Sequence, residues 1–210
     1  MKCRLCEVRK PRRYCPGVRG EICSPCCGAE REVTVSCPLD CEYLVEARLH
    51  EKPQQIDVEK IAHRDIVVTE EFLDEIEPLV HAVSQMLASA ALQTPGAVDR
   101  DVQSALDAMI RTYRTRESGL FYESRPDNVV AGMLQQRLQS AIDQYSQALT
   151  RERGMTAVRD ADVLGALVFL YRVAVNIDNA RPRGRSLISI LMARYPELGG
   201  GSGGQSLLAI

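Results

Sequence analysis

The chain has 210 residues, Lys+Arg 26 against Asp+Glu 28 and a formal net charge of −2, with 45% hydrophobic and 26% charged residues. That composition is normal for a globular protein able to bury a sizeable core, leaves room for one or two domains, and excludes neither protein nor nucleic-acid partners. With Trp 0, Phe 3 and Tyr 7, the core must rest on Leu, Val, Ile, Ala and Met.

The opening Met-Lys-Cys-Arg-Leu-Cys has no apolar signal core. The longest apolar run, Val163 to Ile177, is interrupted by Arg172 and falls short of the roughly 20 residues that a membrane span needs. The expectation is a cytoplasmic chain without a membrane partner, its thiols reduced.

All eight cysteines fall between residues 3 and 41: Cys3, Cys6, Cys15, Cys23, Cys26, Cys27, Cys37 and Cys41. Their spacing is C-x2-C-x8-C-x7-C-x2-C-C-x9-C-x3-C. The two C-x-x-C pairs, Cys3/Cys6 and Cys23/Cys26, match a turn that aims two thiolates at one metal about 2.3 Å away. A disulfide framework is the alternative, and the compartment and the C-x-x-C pairs count against it. Eight sulfurs suit two Zn2+ ions in closed tetrahedral sites. Alternate pairing assigns Cys3, Cys6, Cys23 and Cys26 to one ion and Cys15, Cys27, Cys37 and Cys41 to the other, with Cys26 and Cys27 free to exchange roles. Closed all-thiolate sites lack the open position a catalytic zinc keeps for water, so no enzymatic role is expected of them.

The C-x2-C start, Tyr14-Cys15-Pro16 and the later Cys23-x-x-Cys26 resemble the cross-brace zinc fingers of the B-box and HIT types. That resemblance covers about a fifth of the chain and implies a protein-interaction or assembly platform without catalysis of its own. The chain departs from the B-box pattern at Gly17-Val18-Arg19, which offers no ligand, and at its end, where Cys37 and Cys41 stand in place of histidines.

Lys2, Arg4, Arg9, Lys10, Arg12, Arg13 and Arg19 crowd the first twenty residues against Glu7. One reading is compensation of the double negative charge on each zinc–tetrathiolate centre. The other is a phosphate-contacting patch around Arg12, Arg13 and Arg19, although only Tyr14 is placed to stack on a base.

Alternation over Arg31–Ser36 predicts a short strand, and Tyr43, Leu44, Ala47 and Leu49 predict a helix leaving the finger. Residues 1–51 form the zinc module; 52–68 supply a hinge at Lys52-Pro53-Gln54-Gln55 and an extended Ile66-Val67-Val68. Residues 69–198 form an all-α bundle of about five helices. The first starts at an N-capping Thr69, is kinked or restarted at Pro78 and ends at Thr94-Pro95-Gly96. The second runs from about Asp99 to Glu117 and stops at Gly119. The third starts near Pro126, after a polar loop in which Ser124 or a neighbour caps, and closes at Gly154. The fourth, about Asp160 to Asn179, is apolar nearly all round and is expected to be the buried hub. The fifth spans roughly Arg185 to Tyr195. Residues 199–210 read as a flexible glycine-rich tail with an apolar tip.

Arg181-Pro-Arg183-Gly-Arg185-Ser186 precedes a predicted helix start, where free N–H groups and guanidinium forks favour an anion. The alternative is a polar loop paired with nearby carboxylates. His50, His63 and His81 show no ligand spacing, and no nucleotide-binding or hydrolase signature is present. The expected function is a zinc-binding adaptor that contacts another protein through its finger and self-associates or binds a partner through its helices. The alternatives are a nucleic-acid-binding regulator using Arg12, Arg13, Arg19, Arg181, Arg183 and Arg185 together, and a thiol redox sensor.

Overall fold

The computed structural model describes residues 2–51, 61–119, 122–153 and 158–198. The expected Lys52–Gln55 hinge, the stop at Gly154 and the tail from residue 199 lie outside them. The chain is mainly helical, a small cysteine module followed by a helical body, as its composition and periodicity predict.

The module is built on a hairpin, β1 (Arg13–Cys15) and β2 (Gly20–Ile22), antiparallel with Arg13 opposite Ile22, Tyr14 opposite Glu21 and Cys15 opposite Gly20. Its turn lies against residues 35 and 36. A Cβ on Gly17 would come within 2.6 Å of the Ser36 carbonyl and 2.7 Å of Val35, so a bare backbone is required there. A short helix α1 (Ser24–Glu30) follows, with Pro25 in its first turn, where the missing N–H costs nothing. The predicted helix after Cys41 is α2 (Glu42–Leu49).

The strand expected over Arg31–Ser36 is absent. Val33, Thr34 and Val35 all donate their N–H to the Glu30 carbonyl, at 3.1, 3.3 and 3.1 Å, and curl the segment into a turn with one parallel bridge, Arg31 to Val35. The alternation of polar and apolar residues misleads because Glu32, a polar position in that pattern, is fully buried at φ 54°.

The body contains α3 (Glu70–Glu75), α4 (Glu77–Leu92), α5 (Asp99–Glu117), α6 (Val129–Arg153), α7 (Asp160–Asn176) and α8 (Ser186–Arg194), followed by a 3-10 turn at Pro196–Leu198. The Thr69 hydroxyl accepts the Phe72 N–H at 3.1 Å and starts α3. The chain restarts at Ile76, with Pro78 in the first turn of α4. Asn128, rather than Ser124, caps α6: its Oδ1 accepts the Val130 N–H at 2.8 Å, while the Ser124 N–H donates to Thr112.

Leu87, Leu106, Met109, Ile110, Leu134, Leu138, Ile142 and Leu167 are among the largest buried side chains and form one continuous core. The apolar helix α7 is central as expected, Val163 through Val168 being buried without a break. It shares the centre with α5, which packs against both α7 and α6. A Cβ on Gly165 would come 2.3 Å from the Phe72 ring, so this glycine lets α3 lie close on α7. Arg172, which interrupts the apolar run, donates to the carbonyls of Ala62, His63 and Ile66 at 3.1, 3.0 and 2.9 Å and fastens that segment to the bundle. No helix among the described residues is long and apolar enough to cross a membrane.

Candidate metal centre and its attachment to the helical body

Two tight turns bring four cysteines to one point. In the first, the Cys3 N–H donates to the Arg9 carbonyl at 2.9 Å and the Glu7 N–H to the Cys3 carbonyl at 2.8 Å, with Glu7 at φ 54°. In the second, Cys23 sits at the start of α1, and the Cys27 N–H returns to its carbonyl at 3.0 Å. The hairpin joins the two turns. The sulfurs of Cys3, Cys6, Cys23 and Cys26 all lie within 4.8 Å of one another, Cys6 and Cys23 at 3.9 Å. A tetrahedral ion with metal–sulfur bonds of about 2.3 Å sets its sulfurs about 3.8 Å apart, so the set is compatible with zinc. Four soft donors without a carboxylate favour zinc over a hard cation.

The surroundings favour thiolates. Burial alone would push the Cys3 thiol up, but N–H groups of Cys6, Cys23 and Leu5 outweigh it and bring the pKa down to about 6. The N–H groups of Arg9 and Val8 lower Cys6. Cys26 goes the other way, to about 12, because it shares a proton with Cys23 and is partly desolvated. Four sulfurs this close cannot all ionise without a cation between them, and a dication at their centre removes that conflict. The Arg9 guanidinium lies beside Cys23 and in the field of Cys6 and Cys26, which raises its own pKa. For Arg9, then, the basic run compensates sulfur charge.

The other four cysteines pack into the same small core with Ile22, Val35 and Leu44. Burial raises Cys37, and the nearby Glu32 N–H opposes the shift while Cys15 and Cys41 add to it. Cys27 sits between two guanidinium groups, with Arg13 and Arg31 each 3.8 Å from its sulfur. Among the described residues, these four do not converge within ligand distance of one another as the first four do.

Of the predicted cationic residues, Arg13 is turned inward: it donates to Ser24 at 2.9 Å and lies 3.9 Å over the Tyr43 ring. Arg12 and Arg19 are exposed. Arg181, Arg183 and Arg185 are directed at the cysteine module. Arg181 donates to the Arg31 carbonyl, Arg183 to the Ser36 hydroxyl and Arg185 to the Cys37 carbonyl.

Glu32, which the sequence reading passed over, is the centre of this contact. Its carboxylate accepts from Arg48 at 2.8 Å, from the Asn179 side chain at 2.9 Å and from the Arg185 N–H at 3.0 Å. Its carbonyl accepts the Arg183 N–H at 2.8 Å. Among the described residues Arg48 has no partner for Nε or Nη1, which leaves Glu32 as the carboxylate beside its charge. A second buried carboxylate, Asp99 at the start of α5, accepts the N–H groups of Leu187 and Ile188 at 2.9 and 3.2 Å and caps α8 from a distance. Burial raises Asp99 to about 6 against those N–H groups. In the Arg181–Ser186 stretch and the start of α8, the guanidinium groups thus meet neutral oxygens, and the carboxylates of Glu32 and Asp99 take the N–H groups of Arg185, Leu187 and Ile188. No local sequence signal marks Glu32, Arg48 or Asn179, which meet only in the fold.

The histidines hold structural contacts. His63 lies 3.2 Å from Asp107 and edge-on to Tyr171, and His81 is edge-on to Tyr195. The chain matches no protein-family model, no curated protein and no solved structure.

Proposed function

We propose that the protein is a zinc-stabilised interaction protein without a catalytic centre of its own. Its cysteine module serves as a rigid contact platform, and its helical body self-associates or binds a partner protein in the cytoplasm. The observation that carries this reading is the closed four-thiolate set of Cys3, Cys6, Cys23 and Cys26, whose geometry leaves a metal no open position for substrate. The polar clasp around Glu32 supports it, because a platform must be held rigidly to transmit a contact.

The reading includes a second zinc on Cys15, Cys27, Cys37 and Cys41, completing a cross-brace of the B-box or HIT kind. Its support is the electrostatic proximity of Cys15 and Cys41 to Cys37, and the two guanidinium groups beside Cys27. A metal–tetrathiolate centre leaves excess negative charge on sulfur, which N–H donors of this sort offset.

Sedimentation velocity on metal-loaded and chelated protein tests the division of labour. Self-association carried by the body persists when the metal is removed. Association lost with the metal assigns that role to the cysteine module, and a monomer under both conditions removes self-association from the reading.

A further inference from the structure

We propose that the outer face of the β1–β2 hairpin binds single-stranded nucleic acid, with Tyr14 as the stacking residue. The inference rests on the folded, metal-loaded module described above and names the partner of that platform.

Strand alternation divides the hairpin into two faces. Arg13, Cys15 and Ile22 point toward the module's core, where Cys15 and Ile22 are buried. Tyr14 points outward and is 57% exposed, a large aromatic left in solvent at the centre of a strand. Around it lies a concavity lined by Lys2, Arg4, Tyr14, Arg19, Gly20 and Glu21. Gly20 pairs with Cys15, and a Cβ there would meet the Arg4 side chain at 2.5 Å, so the bare backbone lets Arg4 lie against β2. The Arg12 N–H bonds the Ile22 carbonyl at 2.8 Å and extends β1, so alternation sets Arg12 on the same side as Tyr14.

The cations on this face differ from most of the basic run, Lys10 being exposed as they are. Arg9 is held by the sulfurs, Arg13 by Ser24 and Tyr43, and Arg181, Arg183 and Arg185 by the module's own backbone and Ser36. Lys2, Arg4, Arg12 and Arg19 are exposed, and among the described residues the side-chain hydrogen bond found for them is Arg4 to the Arg19 carbonyl at 3.3 Å. Glu7 at the rim and Glu21 beside Tyr14 oppose them, leaving four cations against two acids. A flat aromatic ringed by free guanidinium and ammonium groups complements a base between two phosphates. An acidic peptide would satisfy the cations but would leave the exposed ring without a matching plane.

The test is fluorescence anisotropy of a labelled oligo(dT) strand titrated with full-length, metal-loaded protein at low and moderate salt. Four phosphate contacts to a single strand predict that affinity falls with roughly the third power of salt concentration. Arg12→Glu and Arg19→Glu should each weaken binding about tenfold or more and flatten that slope. Tyr14→Ala should weaken it about tenfold and leave the slope unchanged. Arg151→Glu, on the exposed end of α6, should change neither. Metal content at the wild-type level in each variant shows that the module is intact. No binding at low salt, equal binding of duplex DNA, full affinity in Tyr14→Ala, or a poly-glutamate peptide bound as tightly would each overturn the proposal. With metal content intact, any of these results leaves the zinc-stabilised platform standing; a wild-type chain without metal would remove the platform instead.

Discussion

The cysteine module and the helical body reach a fixed structure by opposite means. The body buries a continuous apolar core in which Leu106, Met109, Ile110, Leu134, Leu138 and Leu167 are wholly withdrawn from water. The module buries Ile22, Val35 and Leu44 and little else beyond its cysteines. So small a core offsets little of the entropy of ordering its chain, and in the proposed reading ligand bonds from Cys3, Cys6, Cys23 and Cys26 to a metal supply the rest. What joins the two regions is a polar clasp of a buried glutamate, arginines and backbone carbonyls around Glu32, with Leu39 packed beside it against the body's apolar core. In the proposed reading one region folds by excluding water and the other by chelation, and the clasp around Glu32 is where the two would be coupled.

The largest effect expected from this contrast is metal removal. Structural zinc contributes on the order of 10 kcal/mol to small domains of this kind. Chelation, or Cys23→Ser, should abolish the amide dispersion of residues 2–51 in a heteronuclear NMR spectrum. The helical circular dichroism of the body should remain, with a lower melting temperature because Glu32 no longer holds α8. Loss of the whole helical signal would show that the body cannot stand without the module.

Leu167→Ala is the reciprocal experiment. It removes a fully buried side chain from α7 and should cost about 2–5 kcal/mol in denaturant unfolding of the body. Metal content should not change. A variant that also lost its metal would merge the two regions into one cooperative unit.

Glu32→Gln sharpens the comparison at the joint. The neutral amide keeps the shape but leaves Arg48, only 13% exposed in its side chain, without a counter-charge. A loss of about 2 kcal/mol in stability is expected, with metal retained. No change in melting would mean that the contact contributes nothing to coupling.

Asp99 gives the most specific signal, one confined to a window of pH. Its folded pKa of about 6 lies above the ordinary 3.8, so the folded chain holds this proton to higher pH than the unfolded chain does. Its contribution therefore favours the fold at low pH and is lost as pH rises from about 4 through about 6, at no more than about 1.4 kcal/mol per pH unit. Asp99→Asn should flatten that part of the stability profile; an unaltered profile would assign the dependence to other groups.

The same contrast explains what could be read in the sequence. Helical periodicity located Asp99–Glu117 to the residue and placed the break at Pro78, because burial in the body follows the helix repeat. Cysteine spacing located the cluster of Cys3, Cys6, Cys23 and Cys26, because a C-x-x-C turn is local. The hairpin was missed although Pro16-Gly17 marks its turn, and the 31–36 strand was predicted where a turn exists. Both lie in the module, and at 31–36 the Glu30 carbonyl, which takes three N–H groups, overrides pattern. The ligands of the arginine loop were illegible because Glu32, Ser36 and Cys37 lie about 150 residues away in sequence, and no periodicity reports a contact at that range.

Elemental analysis of the chain purified without added metal, beside Cys23→Ser and Leu167→Ala, tests the central claim most directly. The account predicts zinc bound to the wild-type chain and to Leu167→Ala, and at least one ion per chain lost in Cys23→Ser. A wild-type chain without zinc, or Cys23→Ser with its zinc undiminished, would contradict it.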